Sequence, residues 1–339
     1  MSHPNAQHAA EQTANELYKS PEQTTMQRFF AESLLPVDIL NNAEIAPLVA
    51  TTLHLAATSL GTVESQFGSD ALHPKIINGR VERGVLATYH NSTHTQSMMM
   101  KYSLAYANLC RIYDGPDSYS NEDLVLQVLA AAGHDIVQGD GRGEDERQSA
   151  ELVVQLMEQS QFGYTQAQRD KVYHSIYATT FNPLTKQQSV EATRPFLPMQ
   201  KATAIGDLLS LCRPHGPVYG IALSVETFML QESNYGQILR HEAEKTGFPV
   251  SDSNLIDCLQ FYDQRPLLRE AYTTHLQGQS GFLRQHSYPD PRVDQWFPGR
   301  EANAVFVDEL AAWYTQGSIT APDTYRLALQ RAQVLSAAT

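Results

Sequence analysis

Hydrophobic positions recur every three or four residues along most of this chain, which is the spacing of helices that bury one face. Ile45, Leu48, Val49 and Leu53 are one such run. The strict alternation of apolar and polar residues that marks half-buried strands is scarce. The pattern therefore predicts an all-α fold, a helical bundle with additional helices at its N- and C-terminal ends.

Apolar spacing and helix breakers also predict where single helices and loops begin and end. Residues 84–113 are predicted as one long helix that ends at the breaker Asp-Gly-Pro, and Ser120 is predicted to cap the next helix, which ends at Gly133. Residues 254–277 are predicted as a helix and 278–303 as a long loop. The remaining predicted helices cover roughly 26–34, 45–55, 146–160, 165–180, 200–211, 218–234, 235–246, 304–316 and 322–336.

The chain is predicted to have three parts. Residues 1–24 are polar and lack apolar periodicity, which indicates a flexible leader. Residues 25–247 form the predicted core domain, and 248–339 a C-terminal helical extension packed on it. No apolar signal segment and no run of about 18 apolar residues occurs, so we expect a cytoplasmic protein without a membrane partner.

The charge of the chain restricts its partners. A formal net charge of -13 disfavours polymeric nucleic acid, whose binders present a basic face. A small phosphorylated molecule stays compatible, because a metal ion and a few local cations can reverse the field inside one pocket. Cys110, Cys212 and Cys258 are far apart in the sequence, so we expect buried, reduced thiols.

Three short segments offer metal-ligand chemistry. His90 and His94 are four residues apart, so a continuous helix would project both imidazoles from one face; alternatively both are ordinary surface or core residues. His134-Asp135 follows an apolar stretch, where a cation would offset the cost of burial. The alternative is a histidine at a helix C-terminus beside a solvated carboxylate. Asp207 is a single carboxylate in an apolar segment, which calls for a metal or an arginine partner.

The order His94, His134-Asp135, Asp207 resembles the HD superfamily of metal-dependent phosphohydrolases. The likeness covers about residues 85–240 and extends to the flanking segments YHNSTHTQSM, LAAAGHDIV, SAELVVQLM, IYATTFNP and AIGDLL. It implies an HD-domain helical bundle as the catalytic domain at 25–247, with these four residues as the metal ligands.

The segment YHNSTH is also similar to class I cyclic nucleotide phosphodiesterases of the same superfamily. That similarity implies that His90 is the general acid and that Asn91 orients neighbouring groups. The sequence departs from those enzymes at Gln138, where they have a further histidine that supports a second metal ion. Asp145 or Glu146 could replace that imidazole; the alternative is that both are solvated loop carboxylates.

The implied cofactor is a divalent metal ion (Mn, Fe, Zn, Ni or Mg), with one or two ions per chain. It would activate water against a phosphate ester, with Asp135 orienting the nucleophile and His90 protonating the leaving oxygen. Arg142, Arg147 and Lys201 are candidate phosphate contacts, with surface positions as the alternative. His174 either lines the pocket or packs in the core.

The expected function is therefore hydrolysis of a phosphomonoester or phosphodiester in a nucleotide or another small phosphorylated metabolite. One alternative is a non-catalytic HD-like module that binds a nucleotide or a partner protein. Another is a di-iron oxygenase that resembles inositol oxygenase. The C-terminal extension could complete the pocket or form a homodimer contact, and nothing in the sequence identifies the substrate.

Overall fold

A computed structural model of the chain describes residues 35–67, 76–77, 80–81, 89–91, 94–138, 141, 143–191, 196–230, 234–250 and 253–337. Helices dominate these residues, and the predicted all-α class is confirmed. The predicted leader at 1–24 and the predicted helix at 26–34 lie outside the described residues.

The α-helices that the described residues form are, in chain order, α1 (Val37–Leu40), α2 (Ala46–Phe67), α3 (Lys101–Asp114), α4 (Asn121–Gly133), α5 (Glu144–Gln159), α6 (Gln166–Tyr177), α7 (Leu197–Leu209), α8 (Gly216–Leu230), α9 (Asn234–Thr246), α10 (Leu255–Tyr262), α11 (Pro266–Gln285), α12 (Val293–Trp296), α13 (Arg300–Thr315) and α14 (Ala321–Ala337). A π-helix (His94–Met100) precedes α3, and 3-10 helices occupy Pro116–Ser118 and Ser210–Cys212. Within the part of the chain that the structure describes, strands form two antiparallel pairs, β1 (Ile76–Ile77) with β2 (Arg80–Val81) and β3 (Phe181–Asn182) with β4 (Gln187–Gln188).

The chain divides into two compact units. The first comprises Met1–Gln66, Ser92–Leu209 and Tyr288–Asp290, and in it α7 packs against α3, α4, α6 and the π-helix. The second comprises Phe67–Asn91, Ser210–Ser287 and Pro291–Thr339, where α11 packs along α13 and α8 contacts α9 and α14.

Local signals account for several helix ends. The Ser120 hydroxyl accepts the Asp123 N–H at 3.0 Å, so the predicted cap of α4 is confirmed. At α6 the Thr165 hydroxyl accepts the Gln168 N–H, and the Gln168 side chain accepts the Thr165 N–H in return. None of the three cysteines forms a disulfide, and all three are buried.

The predicted long helix at 84–113 is wrong at Tyr89–Asn91, which form bends. The Asn91 N–H bonds to the Tyr89 carbonyl at 2.9 Å, a tighter closure than any helix makes. Glu226 also accepts the N–H groups of Tyr89 and His90, and this holds the segment outside a helical path. His90 and His94 therefore do not share a helix face.

Two further boundaries differ from the prediction. The segment 254–277 is two helices, because the chain turns at Asp263 and restarts at Pro266, a residue suited to the first turn of a helix. The predicted loop at 278–303 begins late, since α11 continues to Gln285 with Ser280 and Leu283 buried. Burial outweighs the glycines that favoured a loop there.

Among the described residues, the window Ala46–Glu64 in α2 is long and apolar enough to cross a membrane. Of that window 56% is buried within the folded chain, as in the core helix of a globular unit. Buried Thr52 also forms a hydrogen bond of 2.8 Å with the Tyr164 hydroxyl. The window is therefore a weak indication of a membrane span.

Gly206 permits a close approach between α7 and the segment that carries His94. A Cβ atom there would lie 2.8 Å from the Ser103 Cβ and 2.9 Å from the Met99 carbonyl oxygen. We expect Gly206→Ala to lower the free energy of unfolding by about 1–3 kcal/mol, because the helices must separate. Gly278→Ala, where a Cβ would meet nothing within 4 Å, should be neutral or stabilising by up to about 1 kcal/mol. Urea unfolding measures both, and equal stability of the two variants would contradict the proposed contact.

Candidate metal centre

Four predicted ligands come together in the first unit: His94, His134, Asp135 and Asp207, hereafter the His–Asp cluster. One ligand atom from each lies within 4.8 Å of the others. The π-helix begins at His94, His134-Asp135 directly follows α4, and Asp207 stands in the last turn of α7. Three separate segments therefore converge on a buried group that could hold a metal ion.

The distances within the cluster suit a shared cation. His94 Nε2 lies 3.5 Å from Asp135 Oδ2 and 3.4 Å from Asp207 Oδ1, while His134 Nε2 lies 3.7 Å from that same Asp207 oxygen. Ligand atoms bound about 2.1 Å from a cation are separated by about 3.0 to 3.4 Å in octahedral or tetrahedral geometry. The donor set of two imidazoles and two carboxylates thus fits a divalent transition metal or Mg²⁺.

His134 is oriented as a metal ligand is. Its Nδ1 bonds to the Ala131 carbonyl oxygen at 2.9 Å, which places the ring proton on Nδ1 and leaves the Nε2 lone pair for another partner. Nε2 is buried and lies 2.7 Å from Asp135 Oδ2, but the contact lacks hydrogen-bond geometry. The Asp135 carboxylate faces this nitrogen, so a bound cation would take the place of a proton between the two atoms.

A buried chain of polar side chains aligns the helices that precede the ligands. The Tyr119 hydroxyl donates to Gln127 Oε1 at 2.5 Å, and Gln127 Nε2 donates to the Thr203 hydroxyl at 2.8 Å. Gln127 lies on α4 and Thr203 on α7, one turn before Asp207. Because a slip of either helix would leave a buried polar group unpaired, this chain holds their register.

Burial and mutual contacts shift the pKa values of the residues in the cluster. Burial lowers the pKa of His94 below its ordinary value and outweighs the neighbouring carboxylates. Burial opposes protonation of His134 as well, but Asp135 and Asp207 outweigh it and raise the pKa to about 10. Burial raises the pKa of Asp207, yet the nearby imidazoles of His134 and His94 hold that pKa well below its usual range. A cation that binds here therefore displaces a proton from His134.

Gln138 stands where the phosphodiesterases have a further histidine, and Asp145 and Glu146 are the candidates to replace that histidine. Gln138 Nε2 donates to Asp135 Oδ1 at 3.0 Å. Asp145 is buried and accepts the Gly141 N–H, while Glu146 accepts the Gly143 N–H at the start of α5. Burial, with Asp135 and Asp145 nearby, raises the pKa of Glu146. Asp145 is therefore not a solvated loop carboxylate, Glu146 is half-buried, and both accept backbone N–H groups.

His90 lies in the second unit, where a residue that the sequence analysis missed holds it. His90 Nδ1 bonds to Glu226 Oε1, and Glu226 is fully buried on α8. Glu226 is a lone carboxylate in the apolar segment IALSVETFML, the same signal that singled out Asp207. That signal could have identified it. The predicted catalytic roles of His90 and Asp135 stay predictions.

The candidate phosphate contacts have different surroundings. Arg147 pairs with Glu144 and Glu151 on the exposed side of α5, in agreement with its surface alternative. Lys201 is half-buried on α7, and Arg142 lies outside the described residues. The His174 ring stacks on Phe196 with ring centroids 5.3 Å apart, which agrees with a packing role.

Comparisons of this chain with protein-family models, curated proteins and solved structures gave no match.

The geometry predicts that removal of one ligand abolishes tight metal binding. His134→Ala or Asp207→Ala should weaken binding of Mn²⁺ or Zn²⁺ by at least about 100-fold, more than the loss of a residue behind a ligand costs. His241→Ala, which changes an exposed histidine on α9, should bind as the unaltered chain does. Metal analysis after equilibrium dialysis measures the difference. Undiminished binding in both cluster variants would exclude the cluster as the metal site.

Proposed function

We propose that the chain is a metal-dependent phosphohydrolase that cleaves a phosphate ester of a nucleotide or another small phosphorylated metabolite. The observation that carries the proposal is the His–Asp cluster, whose four donors come from three separate segments and are largely buried. Burial of two carboxylates against two imidazoles is costly without a cation to neutralise them. The order of these donors along the chain resembles that of the HD superfamily, which supports hydrolysis as the reaction.

A bound divalent cation would supply an activated water at neutral pH and neutralise charge on the phosphoryl oxygens. The chain contributes the nitrogen donors of His94 and His134 and the oxygen donors of Asp135 and Asp207. We assign Asp135 the additional task of orienting the attacking water. The net charge of -13 supports a small phosphorylated substrate in preference to a nucleic-acid polymer.

Protonation of the leaving oxygen is assigned to His90. Glu226 occupies the Nδ1 side of this ring, so proton exchange must take place at Nε2. A buried carboxylate that binds one ring nitrogen of an imidazole fixes the orientation of the ring. The His90 side chain is 22% exposed, which leaves it accessible to a ligand. These contacts support a general acid oriented by Glu226.

Hydrolysis of phosphate esters by the metal-loaded chain tests the proposal directly. We expect release of phosphate or of the free alcohol from at least one member of a panel of nucleoside monophosphates, cyclic nucleotides and sugar phosphates. His134→Ala and Asp207→Ala should reduce that turnover to background, and His241→Ala should retain it. A chain that binds metal but turns over no ester would support the non-catalytic binding module instead.

The role of His90 has a separate signature. For an ester with an alkoxide leaving group, His90→Gln should lower kcat by about 10²- to 10⁴-fold, because no acid protonates the leaving oxygen. For p-nitrophenyl phosphate the loss should be small, because nitrophenolate leaves without a proton. Metal content should not change in this variant. Equal losses with both leaving groups would contradict general-acid catalysis by His90.

A further inference from the structure

In each carboxylate of the His–Asp cluster, the two oxygens make different contacts. Asp135 Oδ2 lies among the imidazole nitrogens, 2.7 Å from His134 Nε2, whereas Oδ1 accepts a hydrogen bond from Gln138 Nε2 at 3.0 Å. Asp207 repeats the arrangement: Oδ1 lies 3.4 Å from His94 Nε2, and Oδ2 accepts from Gln188 Nε2 at 3.0 Å. Each carboxylate thus has one inner oxygen and one outer oxygen that accepts an amide N–H.

The direction of both amide hydrogen bonds follows from chemistry. A glutamine side chain carries a donor and an acceptor of nearly equal size, and only its NH₂ group can approach an ionised carboxylate oxygen favourably. An amide NH₂ has no lone pair to offer a cation. The glutamine occupies one lone pair of the outer oxygen, so a second metal ion at Asp135 or Asp207 would have to use the remaining lone pair and lie against the positively polarised NH₂ group.

The two glutamines are themselves held by the fold. Gln138 follows the turn after α4, where the Val137 N–H bonds to the Ser149 hydroxyl on α5 at 3.0 Å. Gln188 is only 7% exposed and lies on β4, opposite Phe181 of β3. Within the described residues, its Oε1 atom is buried without a hydrogen-bond partner, so this amide retains an acceptor for a water molecule or a substrate hydroxyl.

We infer that Gln138 and Gln188 are positioning residues that hold both carboxylates in one-oxygen coordination, so that the His–Asp cluster binds a single metal ion. The inference rests on the metal centre of the proposed function, but not on the reaction assigned to it. A single ion also excludes the di-iron oxygenase alternative, which requires two irons.

Titration of the metal-free chain with Mn²⁺ tests the number of ions. We expect one tightly bound ion per chain by equilibrium dialysis, and the electron paramagnetic resonance hyperfine pattern of an isolated Mn²⁺ ion. Two ions of similar affinity, or the spectrum of an exchange-coupled pair, would overturn the single-ion inference. Neither result depends on turnover, so failure here is distinct from failure to hydrolyse any ester.

Substitution by methionine, which has a similar length and no N–H group, tests the positioning role. Gln138→Met and Gln188→Met should each raise the Kd for Mn²⁺ by about 10- to 100-fold while the spectrum still reports isolated ions. Gln148→Met is the matched control. Gln148 Nε2 also donates to a carboxylate, that of Glu144, in a hydrogen bond of 2.8 Å, but Glu144 is not a member of the cluster. Its Kd should equal that of the unaltered chain.

Wild-type affinity in both cluster-side variants would refute the positioning role. Circular dichroism and melting temperature of the metal-free variants separate weakened binding from misfolding. If either variant fails to fold, the stoichiometry and spectrum of the unaltered chain still decide the single-ion inference.

Discussion

Burial of charge in the His–Asp cluster is the constraint on which the first unit depends. Two carboxylates and two imidazoles share a space only a few ångströms wide, where desolvation penalises every charged form. Mutual attraction within the cluster offsets part of this penalty, as the opposite pKa shifts of His134 and Asp207 indicate. A divalent cation would offset the rest. The surrounding fold makes the arrangement possible by presenting each donor from a rigid helix end.

The supports of the cluster are themselves polar, and all but the half-buried Gln138 are buried, which is unusual for a helical core. The Tyr119–Gln127–Thr203 chain aligns α4 with α7, and Gln138 and Gln188 bind the outer carboxylate oxygens. Each hydrogen bond contributes little net stability, but leaving its buried groups unpaired is costly. These residues therefore contribute more to the positions of the helices and the ligand side chains than to the free energy of unfolding.

Some of the local structure could be predicted because it depends only on neighbours in the sequence. The helical period predicted the all-α class, and the Ser120 cap needed only a hydroxyl three residues before an N–H group. The run Tyr89–Asn91 could not be predicted in this way. The N–H groups of Tyr89 and His90 donate to the carboxylate of Glu226, which lies far along the chain. A helical pattern gives no sign of such a long-range contact.

The residue types of the candidate centre were determined by the sequence alone: His94, His134, Asp135 and Asp207 all carry groups that can bind a metal ion. Their convergence, the inner and outer use of each carboxylate oxygen, and the partners Glu226 and Gln188 depended on tertiary structure alone. The physical reason is distance along the chain. Residue type sets which atoms can bind a cation, whereas packing between segments far apart in sequence sets which of those atoms meet.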